Sequence, residues 1–245
     1  MGDVSSVSTT EGAVLASRHF TPALFAFLRQ LEANNEKTWW DANKDRYQSV
    51  VRDPALDFIT DFGRPLQKLS PHFVADARTT GGSLMRPYRD TRFSNDKTPY
   101  KTNVGIQFRH EAGKDIHAPG YYLHLEAGAC FAGVGLWHPE TEVARTLRQT
   151  INDQTDAWAA ATKADEFVST WTLDHDEEEM LKRIPPGLDP DHPYADDLRM
   201  KSFIAGTSLT QKQVTTAGFD EQLATMFSRG SRFTGFLCDA LGLPF

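Results

Sequence analysis

Arg86, Arg89, Arg92, Lys97 and Lys101 crowd into one stretch, SLMRPYRDTRFSNDKTPYKT (residues 83–102), of a chain whose net charge is −7. A guanidinium is a planar fork of donors that matches a phosphate or carboxylate, and an ammonium adds a compact point charge. Ser94 and Thr98 contribute hydroxyls, while Tyr88 and Tyr100 contribute flat rings able to stack on a base or a sugar. This combination suits the binding of a small phosphorylated or carboxylated ligand, with Arg86, Arg89, Arg92, Ser94, Lys97, Tyr100 and Lys101 as the binding residues. Asp90 and Asp96 offer the opposite arrangement, in which Arg89–Asp90 and Asp96–Lys97 pair and brace an irregular segment. The net excess of three cations over residues 83–102 favours a pocket, because a purely structural network tends to balance its charges.

Other constellations are weaker. His124 and Glu126 share one face of a strand, as two metal ligands or an acid–base pair would, and as ordinary outer-face residues would too. If the ligand is chemically transformed, Asp90 or His124 is the candidate acid or base, and a pH optimum near neutrality would favour the histidine. His110, His117 and His124 lack the i, i+4 spacing of a zinc helix, so no metal site is expected. A nuclease core needs an acid two residues before its lysine, where Asn95 stands before Lys97. Ser83 and Ser94 lack a nucleophile elbow, and the glycines of FAGVGLW form no nucleotide fingerprint, so no cofactor is named by the spacing. Gly133 and Gly135 instead let a helix or ligand approach closely.

The elements that position these residues follow from periodicity. Thr21 caps a first helix with Pro22 at its first position and Phe20 and Phe25 in staple positions. Leu24, Phe27, Leu28 and Leu31 share its buried face. A second helix is expected after Thr38, and a third from Asp53-Pro54, disturbed at Gly63 and Pro65. The period then changes from 3.6 to 2. Val104, Ile106 and Phe108, then Tyr121, Leu123 and Leu125, then Cys130, Ala132, Val134 and Leu136 mark three half-buried strands. Their short connections imply antiparallel neighbours. Helices return after Pro139 (Val143, Leu147, Ile151), and two more close the chain around Phe219, Leu223, Phe227, Phe233 and Leu237. The expectation is an α+β fold in one domain over residues 18–245, with a mainly antiparallel central sheet covered by N-terminal and C-terminal helices. Residues 1–17 read as a flexible tail.

Composition sets the outer limits. Net charge −7 argues against a protein that coats nucleic acid, which needs a basic face, although an adaptor for an acidic protein or nucleic-acid partner would use the same local patch. No run reaches the 18 or so apolar residues of a membrane span. Two cysteines in apolar surroundings, Cys130 and Cys238, read as reduced core thiols, which fits a cytoplasmic protein. Residues 152–198 hold thirteen acids against three cations, and 83–109 hold six cations against two acids, so the molecule should be electrically lopsided.

Four segments also resemble a known family. FLRQLEANNEKTWWDANKDRYQ, YRDTRFSNDKTPYKTNVGIQF, PGYYLHLEAGACFAGVGLWHP and RIPPGLDPDHPYADDLRMKSF are similar to landmarks of a bacterial and fungal family of conserved hypothetical proteins, domain-of-unknown-function family 2461. The landmarks span residues 20–240, which implies one domain and a soluble intracellular protein. The resemblance supplies no reaction, substrate or catalytic residue. Pro87 stands where such proteins carry a strand-forming residue, which predicts an interrupted strand there.

Overall fold

The computed structural model describes residues 16–92, 94–113 and 118–245. Helix α1 (Pro22–Ala33) begins behind an extended Thr21 and buries Leu24, Phe25, Phe27, Leu28 and Leu31. Helix α2 (Lys37–Tyr47) starts at Lys37 with Glu36 as its extended N-cap, earlier than the sequence suggested. The Thr38 hydroxyl, inside the first turn, donates to Glu36 Oε1 at 2.8 Å. A π turn, Gln48–Arg52, then leads without a break into α3 (Asp53–Leu69). Gly63 and Pro65 do not disturb α3. Its stripe of Phe58, Ile59, Phe62 and Leu66 is fully buried, and about 1.5–3 kcal/mol for each such side chain outweighs the roughly 3 kcal/mol penalty of one internal proline.

Strands β1 (Phe73–Val74), β2 (Asn103–His110), β3 (Gly120–Glu126) and β4 (Cys130–Leu136) come next. Helices α4 (Thr141–Asp153), α5 (Thr155–Thr162) and α6 (Asp165–Val168) lead to β5 (Thr172–Leu173). An acidic, proline-rich stretch then precedes β6 (Phe203–Leu209), α7 (Gln211–Val214), α8 (Phe219–Arg229) and α9 (Ser231–Ala240). The six strands form one antiparallel sheet in the order β1-β2-β3-β4-β6-β5.

Alternation decides which side of this sheet is dry. Phe108, Tyr121, Val134 and Ala205 are register partners across β2, β3, β4 and β6, and all are buried. Helices from both ends of the chain cover that inner face. The Phe62 ring of α3 stacks on Phe108 at 5.0 Å, and Phe227 of α8 lies 4.8 Å from Tyr121. A second helical layer forms behind α9, where Trp158 of α5 meets Phe236 at 5.1 Å. The result is a single α+β domain. The outer face carries Gln107, Tyr122, Gly133 and Gly206 in one row and Gly105, His124, Phe131 and Ser208 in the next.

Residues 1–15 of the expected tail lie outside the described residues, while Ala16 bridges Thr216 and Ser17 N–H donates to Thr215 O at 2.7 Å. Among the described residues no helix is long and apolar enough to cross a membrane.

Candidate functional site

The cationic segment leaves the edge of the sheet as an irregular hairpin. Ser83–Met85 runs beside β2, with Leu84 bridging Ile106 and Met85 N–H donating to Gly105 O at 2.9 Å. Beyond it, Tyr88 bridges Tyr100, Lys101 N–H donates to Pro87 O at 2.7 Å, and Arg89 N–H to Pro99 O at 2.9 Å. No continuous strand forms through 86–92. Pro87 can accept but has no N–H to donate, so pairing survives only as isolated bonds.

Within the hairpin most of the expected binding residues are occupied. Arg89 donates to both Asp96 and Thr98, and this guanidinium holds the exposed Asp96 carboxyl down at about 2. Arg92 grips Asp90 with two guanidinium bonds, 2.9 Å from Nε to Oδ1 and 2.6 Å from Nη2 to Oδ2, which lowers the Asp90 carboxyl. Lys97 Nζ donates to Thr91 O at 2.9 Å and closes the tip, where Ser94 lies half-buried. Tyr100 is buried and stacked on Trp40, with centroids 4.2 Å and planes 12° apart. Asn35, from the α1–α2 loop, donates to Tyr100 O at 2.9 Å and accepts from Tyr100 N–H at 3.0 Å, as a neighbouring strand would.

Arg86 and Lys101 remain, side by side at the base of the hairpin. Burial lowers the Lys101 ammonium, and Arg86 lowers it further. Arg86 borders a cleft of about 310 Å³ between α2, the π turn and residues 79–88. Its other polar lining is Lys44, Gln48, Arg52, Thr79 and Thr80, and its apolar lining includes Trp40, Tyr47, Met85 and Tyr88. No carboxylate lines it. Arg52 Nε is held by Asp53 at 2.8 Å, and the Arg86 charge also helps to lower the Asp90 carboxyl, while among the described residues no carboxylate stands within ion-pair distance of Lys44, Arg86 or Lys101. The aromatic wall is continuous, with Trp40 and Tyr47 4.7 Å apart and Trp40 and Tyr88 6.1 Å apart. Burial pushes the Tyr47 hydroxyl up to about 12, with Arg52 pulling it back, so this phenol stays a donor.

The sequence reading missed Lys44, Arg52 and the two threonines. Trp40, Lys44, Tyr47 and Gln48 recur at helical spacing, a mixed aromatic and cationic stripe that could have pointed to them. The π turn could not be foreseen. Residues turn less about the axis there than in an α-helix, so Arg52 stays on the side of Gln48, and such turns are frequent at functional sites.

A larger groove of about 570 Å³ lies between α5 and α9, lined by Ala157, Ala160, Ala161, Phe236 and Phe245. Its cation, Arg232, faces Glu166 at 3.4 Å, and Asp239 also borders it. Among the described residues no group of three His, Cys, Asp or Glu side chains could hold a metal, and His117 lies outside them.

A family model described as "Conserved hypothetical protein (DUF2461)" matches residues 23–236. No curated protein and no solved structure matches the chain.

Proposed function

The chain belongs to the DUF2461 family of conserved hypothetical proteins, and we propose that it binds a small phosphorylated or carboxylated ligand, not in the hairpin itself but in the cleft at the hairpin's base. The observation that carries this reading is the convergence of Lys44, Arg52 and Arg86 on an aromatic-walled cleft with no carboxylate in its lining. Like charges held together in one concavity raise the local concentration of anions. Lys101 beside Arg86 adds to that field. Trp40, Tyr47 and Tyr88 favour a ligand that also carries a flat apolar part. The hairpin cations then have a second role: Arg89 and Arg92 hold the loop whose base supplies Arg86. Reduced Cys130 and Cys238 support a cytoplasmic setting.

Thermal unfolding with phosphate, phenyl phosphate, AMP and dicarboxylates tests the reading. A ligand at a hundredfold its dissociation constant should stabilise the protein by about 2.7 kcal/mol, a shift of several degrees. Arg86→Ala and Lys44→Ala should melt within about 0.5 kcal/mol of the parent when empty, and should lose that shift. A parent that no anion stabilises, or an Arg86→Ala variant that keeps the full shift, would overturn it. Moderate salt dependence is expected of a pocketed anion, against the loss of several decades in affinity that nucleic acid would show.

A further inference from the structure

The two walls of the cleft differ in make-up. On one, Trp40, Lys44, Gln48 and Arg52 follow one another at intervals of four residues along α2 and the π turn. Asp53 N–H donates to Gln48 O, five residues back, so the turn closes on Gln48 and keeps Arg52 on the same side. The other wall, residues 79–88, brings Thr79, Thr80, Arg86 and Tyr88. Its ring and that of Trp40 are not equally available. Trp40 is 3% exposed, with Tyr100 stacked over one face, whereas Tyr88 is 47% exposed. Tyr88 is therefore the ring with room to take a ligand's flat group against it.

Size, charge and hydrogen bonding narrow the anion. A volume of about 310 Å³ lies at the small end of the roughly 300–1,000 Å³ usual for ligand sites, which suits one ring and one phosphate and excludes a dinucleotide or a polymer strand. Lys44 and Arg86, which no carboxylate meets at ion-pair distance among the described residues, match the charge of about −1.5 to −2 that a phosphate monoester carries at pH 7. The cations only donate. The carboxamide of Gln48 is different, because it sets an N–H donor beside a carbonyl acceptor in one plane. Among the described residues nothing bonds it. A donor beside an acceptor is the edge that a nucleobase presents, and a glutamine amide meets such an edge with two parallel bonds. A phenyl ring has no such edge.

We propose that the anion of this cleft is a nucleoside monophosphate, recognised through its base by Gln48 and Tyr88; the proposal rests on the cleft reading above. The base lies against Tyr88 and turns its donor–acceptor edge to Gln48. The phosphate takes Lys44 and Arg86, with Arg52 alongside, and the hydroxyls of Thr79 and Thr80 face the ribose. Stacking is indifferent to which flat ring it holds. Gln48 is thus the residue that tells a nucleotide from another aromatic phosphate ester.

Titration calorimetry on the full chain with AMP, GMP, CMP, UMP, phenyl phosphate and ribose 5-phosphate tests this. At least one nucleotide should bind about tenfold or more tighter than phenyl phosphate, which has a ring without the edge. The same nucleotide should bind about a hundredfold tighter than ribose 5-phosphate, which has neither. Gln48→Leu should bring that nucleotide down to about the affinity of phenyl phosphate, and Tyr88→Ala should weaken it about tenfold. The melting temperature without ligand reports that each variant folds; if one does not, the ranking of ligands on the parent decides alone. Phenyl phosphate binding as tightly as every nucleotide, a Gln48→Leu variant that keeps the full preference, or stabilisation by a dicarboxylate and by no phosphate ester overturns the nucleotide proposal and leaves the cleft reading standing. A protein that none of these anions stabilises overturns both.

Discussion

Arg86 and Arg89 stand three residues apart in one cationic run, yet one borders the cleft and the other is tied to Asp96 and Thr98 inside the hairpin. Composition could not separate them, because the difference lies in where the chain folds back. The Asp96 carboxyl reports the tie. Its folded value, about 2, lies below the ordinary 3.8. Its contribution to closing the hairpin is therefore present above about pH 4 and is lost as pH falls through 2. Arg89→Ala should return the carbon-13 titration midpoint of Asp96 toward its ordinary value. An unchanged midpoint would mean that Arg89 does not hold the carboxylate in solution.

At the scale of elements, the three central strands and their inner faces were legible because period-2 alternation is a direct consequence of half-burial. The uninterrupted α3 was not, since local breakers at Gly63 and Pro65 lose to a buried stripe that only the tertiary fold creates. Two glycines of the sheet make opposite predictions. Gly135 sits at φ +115°, and a β-carbon there would stand 2.1 Å from Phe203 O, so Gly135→Ala should cost about 3 kcal/mol or more in urea unfolding. Gly206 has no neighbour closer than 3.9 Å to the same position, so Gly206→Ala should be neutral or stabilising by up to about 1 kcal/mol. Equal costs at the two positions would contradict the register. Asn35→Ala removes two bonds to the Tyr100 backbone and should cost about 2 kcal/mol, loosening the hairpin against α2.

For the whole molecule, one domain with both thiols in its core is the arrangement that the apolar surroundings of Cys130 and Cys238 suggested. Burial pushes Cys238 up to about 12 and raises Cys130, so both should label slowly with a maleimide in the folded protein and promptly in denaturant. Rapid native labelling would place one of them outside the core. The candidate site was legible only in part. Its sequence signal lay in residues 86–101, but the cleft draws Lys44, Gln48 and Arg52 from a helix far along the chain, a pairing that spacing alone does not encode. The most direct measurement is a crystal structure of the protein with phenyl phosphate. The account predicts the phosphate among Lys44, Arg52 and Arg86 with the ring against Trp40, Tyr47 or Tyr88. A phosphate held at the hairpin tip by Lys97, or none at the cleft at saturating concentration, would contradict it.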